Sequence, residues 1–82
     1  MEERNVTQIL SAADDSVSLI NGVNDGSWNV EGMEQSEIND MVQRNVDHLE
    51  IILAYEEVVA DSSDKSLYND AISTGNAYIA AN

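Results

Sequence analysis

The sequence predicts an all-α chain of three helices, with a short N-terminal helix followed by an antiparallel helical hairpin, assembled as an oligomer. Three observations carry that expectation. Apolar residues recur at steps of three and four over most of the chain, which is the spacing of one helical face. The stretches that break this rhythm are rich in Gly, Asn, Ser and Asp, residues that cap and turn. Proline and cysteine are both absent, so nothing interrupts a helix by ring closure and no disulfide or thiolate metal site can staple the fold.

In the first segment Val6, Ile9, Leu10, Ala13, Val17 and Ile20 share a face and predict a helix over about 5–20. Asn5 with Gln8 has the form of a capping box, and Asn21–Gly22 offers a left-handed terminus. An ordered loop is expected over 21–33, where Asp25–Gly26 is a strong turn signal. Val23, Trp28 and Val30 could alternate as two very short strands, but no third strand exists to support them. Trp28, the only tryptophan, is expected to fold back and plug one end of the core, or else to anchor a partner.

The longest periodic run predicts a central helix over 35–60, starting near Glu34 or Ser36. Ile38, Met41, Val42, Val46, Leu49, Ile52, Leu53, Val59 and Ala60 form its stripe, and Asp40, Gln43 and Asp47 lie opposite. Beyond Leu49 the back face also turns apolar, with Ile51, Ala54 and Val58, and Tyr55 joins the two faces. Such a doubly apolar end needs cover from two helices of its own chain or from another subunit. Ile51, Tyr55, Glu56, Val58 and Trp28 are therefore the candidate interface residues. A third helix is expected over 63–80, with N-cap candidates among Asp61, Ser62, Ser63 and Asp64, and with Leu67, Tyr68, Ala71, Ile72, Gly75, Tyr78 and Ile79 on a broad face. The short joint makes it the antiparallel neighbour of the central helix, and residues 1–82 are expected to form one domain.

Candidate chemistry is sparse. His48 sits at the edge of the central stripe beside Arg44 and Ile52, and no serine or acid forms a defensible triad with it from the sequence alone. Glu56 projects from the middle of that stripe and would need a partner such as a Tyr68 or Tyr78 hydroxyl, Lys65 or a symmetry-related chain. The loop from Asn21 matches a calcium-binding loop poorly, because its third position is Val23 and its twelfth is Gly32. Asp61 with Asp64, or Asp14 with Asp15, read as caps and solvated surface. Gly-rich phosphate loops, HExxH and basic patches are all missing. The expectation is no catalytic, cofactor or metal site, and no enzyme.

Sixteen carboxylates against three basic side chains, Arg4, Arg44 and Lys65, leave a formal charge of −13 over 82 residues. A surface this negative repels nucleic acid and anionic membrane, and suits a basic protein partner. The first residues lack the apolar core of a signal peptide, and the apolar clusters fall well short of the ~20 residues that span a bilayer, so a cytoplasmic location is expected. Taken together these features point to a small acidic structural or interaction module that self-associates through its second helix. The alternative is an acidic inhibitor or adaptor that mimics DNA, with Asp40, Gln43, Asp47, Glu50 and Glu57 spaced along one face.

Overall fold

The computed structural model describes residues 6–55 and 62–82, without the side chains of residues 6, 7, 62 and 63. It contains three helices, α1 (Val6–Asp25), α2 (Gln35–Leu53) and α3 (Ser62–Ala81), and no strand among the described residues. The expected all-α class and helix number therefore hold. Each helix packs against the other two, and the core is drawn from all three. Ala13, Val17, Ile20 and Val23 come from α1, Ile38, Val42, Val46, Leu49 and Ile52 from α2, and Tyr68 and Ala71 from α3.

The α2 stripe advances by four, four, three and three residues, so that one face stays turned inward along the whole helix. Its entry is fixed locally. Glu34 stands at the N-cap with extended backbone, and its amide donates to the Glu37 carboxylate at 2.8 Å, the return bond of a capping box. Both carboxylates also sit at the positive end of the helix dipole.

Two predicted boundaries are corrected. First, α1 runs past Asn21 and Gly22 to Asp25, because Val23 extends the buried stripe by another step of three and its burial outweighs the ~1 kcal/mol that glycine costs inside a helix. The left-handed residue is Gly26, with φ +85°, and not Gly22. Second, α2 stops at Leu53 instead of residue 60: Ala54 caps it in αR geometry and the Tyr55 amide bonds to the Ile52 carbonyl. The three helices thereby have nearly equal lengths of 20, 19 and 20 residues, about 30 Å each at 1.5 Å per residue. The predicted Asn5 cap, and Glu56, Val58 and Asp61, lie outside the described residues.

Among the glycines, the tightest approach is at Gly75. A Cβ placed there would lie 2.5 Å from Val46 Cγ2, 3.3 Å from Val42 Cγ1 and 3.4 Å from Ile20 Cγ2, so side chains of both other helices rest on the bare α3 backbone. Gly75→Ala gains about 1 kcal/mol of helix propensity but overpacks a site where insertion typically costs about 1–3 kcal/mol. We expect a lower denaturation midpoint for Gly75→Ala in urea, and partial recovery when Val46→Ala is combined with it. Additive losses in the double variant would contradict the contact.

Candidate functional site

The first feature is a polar link inside the α1–α2 contact. Ser16 follows Ala13 by three and precedes Ile20 by four, which turns it into the core, where it is 3% exposed. Its hydroxyl donates to Asn45 Oδ1 at 2.8 Å, and His48 Nδ1 lies 2.9 Å from Ser16 Oγ. The Asn45 amide in turn donates to the Met41 carbonyl at 2.8 Å. With the hydroxyl proton committed to Asn45, the remaining contact is made by a His48 Nδ1–H donating to Ser16 Oγ. Both contacts tie the serine hydroxyl into the joint between two helices, where it is almost inaccessible to solvent. The sequence reading paired no serine with His48. Only the register between α1 and α2 brings them together.

The second feature is Tyr68, 1% exposed, whose ring completes the core while its hydroxyl donates to Asp14 Oδ1 over 3.5 Å. Burial, reinforced by the negative charges of Asp14 and Asp64 and by the Asp14 hydrogen bond, pushes its pKa up to about 12. Among the described residues no buried side-chain polar atom lacks a hydrogen-bond partner, so neither polar link leaves an orphan.

The third feature is the exposed apolar surface. Ile51 and Tyr55 are 56% and 51% exposed at the end of α2, and Leu67 is 42% exposed near the start of α3. Of the two kinds of cover expected over this end, the described residues of the same chain leave Ile51 exposed, and Leu67, on the broad face of α3, is exposed as well. Trp28 is also corrected: it is 40% exposed and does not plug the core. It folds back on α1, with its amide donating to the Gly22 carbonyl at 3.0 Å and its Cβ and ring edge 3.2 and 3.3 Å from where a Gly22 Cβ would stand. Glycine at position 22 thus serves close approach of the indole and not helix termination. The loop between α1 and α2 then makes a type II turn over Val30–Met33. The Met33 amide bonds to the Val30 carbonyl, and Gly32 supplies the required φ of +85°.

That turn lays Met33 beside α2, where Met33, Glu37, Asp40, Met41 and Arg44 line a half-open depression of about 410 Å³. Every acidic residue with a described side chain is exposed except half-buried Asp64. Asp25, at the negative end of α1, is held anionic below the usual carboxylate range by hydrogen bonds from the Ser27 hydroxyl and amide. Among the described residues no group of three or more His, Asp or Glu side chains could hold a metal ion, and no helix is long and apolar enough to cross a membrane. Comparison with protein-family models, curated proteins and solved structures gave no match to this chain.

Two outcomes follow from the buried polar groups. Ser16→Ala leaves the Asn45 carbonyl and His48 Nδ1 without their shared partner, and should lower unfolding free energy by about 1–3 kcal/mol in urea titrations; an unchanged midpoint would show that the link carries no weight. For Tyr68 the folded pKa lies above the unfolded value of ~10, so its stabilising contribution is complete below that pH and is lost as pH rises toward 12. Alkaline titration followed by tyrosinate absorbance should show a late phase absent from Tyr68→Phe, accompanied by loss of helical circular dichroism in the parent chain.

Proposed function

We propose that this chain is an acidic protein-interaction module without catalytic activity, in which α2 and α3 form an antiparallel hairpin and two copies meet at the end where those helices join. The carrying observation is the pair Ile51 and Tyr55, one turn apart and both more than half exposed, at the end of a helix whose inward face is already satisfied by the core. The antiparallel arrangement is supported by Gln35, at the start of α2, donating to the Tyr78 hydroxyl near the end of α3 at 2.9 Å. It is supported again by Gly75 lying against Val42 and Val46. On that arrangement Leu67 falls toward the same end as Ile51 and Tyr55.

Burying one large aliphatic side chain contributes roughly 1.5–3 kcal/mol, so a patch of this size suits reversible association and not a permanent dimer. Two copies of charge −13 also repel each other, and salt screens that repulsion more than it affects the apolar contact. Self-association is therefore expected to tighten as salt is raised, as read by sedimentation velocity, and to be abolished by Ile51→Asp with helical content unchanged. A protein that stays monomeric at high micromolar concentration in 0.5 M salt would overturn the reading.

A second reading is favoured by the exposure of Asp40, Asp47 and Glu50 along α2: a DNA-mimicking acidic adaptor for a basic nucleic-acid-binding protein. Failure to bind histone-like or repressor proteins at low salt would eliminate it.

A further inference from the structure

We propose that the depression between the α1–α2 loop and α2 is a docking site for a basic amphipathic helix of a partner protein. Two of its five lining residues are methionines, and these are adaptable. Met33 and Met41 are half-buried and pack on the core, so they are anchored from below, yet unbranched thioether chains can repack around an inserted side chain. The rim is charged and ordered along the helix. Glu37 and Asp40 stand exposed toward the start of α2, and Arg44 stands about two turns away, ~10 Å along the axis from Glu37.

Charge complementarity selects the occupant. The approaching segment meets the field of a −13 chain, which excludes an anionic ligand and accelerates a cationic one. At contact, lysine or arginine side chains one turn apart can reach Glu37 and Asp40 while an apolar residue between them enters the methionine floor. Arg44 then faces an acidic residue or free carbonyls at the other end of the segment, which gives the groove a direction. A helix supplies this combination, because residues three and four apart project from one face. A volume of about 410 Å³ accommodates one or two such side chains and not a whole folded domain. The surface is separate from Ile51, Tyr55 and Leu67, and its occupation does not depend on self-association.

The direct test uses the full chain with methyl-labelled methionine and two synthetic peptides of identical composition. One carries Leu and Lys at helical amphipathic spacing with a glutamate at its C-terminal end, and the other is scrambled. The patterned peptide should shift the Met33 and Met41 methyl resonances and bind at least about tenfold tighter than the scrambled one at low salt, with affinity falling as salt rises. Asp40→Lys should weaken it about tenfold, while the same charge change at exposed Asp70→Lys on α3 should have a much smaller effect. Equal binding of both peptides, equal loss from the two reversals, or unshifted methionine methyls would each overturn the proposal. The salt response also separates the two surfaces, because docking of a basic helix weakens with salt whereas self-association strengthens.

Discussion

The meeting of three helices at Gly75 is the constraint on which the rest of the structure depends. Because α3 presents bare backbone there, Val46 and Val42 of α2 and Ile20 of α1 converge on one point. Val42, Val46 and Ile20 are all essentially inaccessible to solvent. The Tyr68 ring and the Leu49 side chain are buried in the same core. A small chain without disulfides has few other means of fixing helix spacing, since its core is limited and its net stability is a small difference between large opposing terms.

The polar contacts add direction to what apolar packing leaves free. Apolar stripes define which faces meet but tolerate sliding, whereas Ser16, Asn45 and His48 can satisfy one another at one axial register of α1 on α2. Gln35 with Tyr78 does the same between α2 and α3 at the opposite side of the core from Tyr68. Electrostatics works in the other sense. The last turn of each helix carries no basic residue, and the exposed carboxylates repel one another, so the acidic surface is a standing cost that the packed interior offsets.

Much of this fold was legible from periodicity, and the failures have identifiable physical causes. Ile38, Val42, Val46, Leu49 and Ile52 were readable as an inward stripe because one helix face meets two neighbours along its full length. The end of α1 was misread because Gly22 resembles a stop locally, and only the indole lying over it reveals a different use for the missing Cβ. The end of α2 was misread because the apolar content of the sequence continues past Leu53, and periodicity alone does not register the Ala54 cap that closes the helix. The link from Ser16 to His48 spans 32 residues and rests on interhelical register, which periodicity within one helix does not encode. Likewise, the methionine depression needs the turn at Gly32 to bring Met33 onto α2, a three-dimensional coincidence invisible to the pattern of either segment alone.

The placement of Trp28 has an optical consequence. This lone indole sits on the rim of the molecule, partly wetted and resting on the last turns of α1. Its emission colour and quenching therefore monitor whether that connecting segment is seated, a different event from melting of the Leu49 and Tyr68 interior. Fluorescence and far-ultraviolet signals from this chain report two separate processes whenever the loop lifts before the bundle opens.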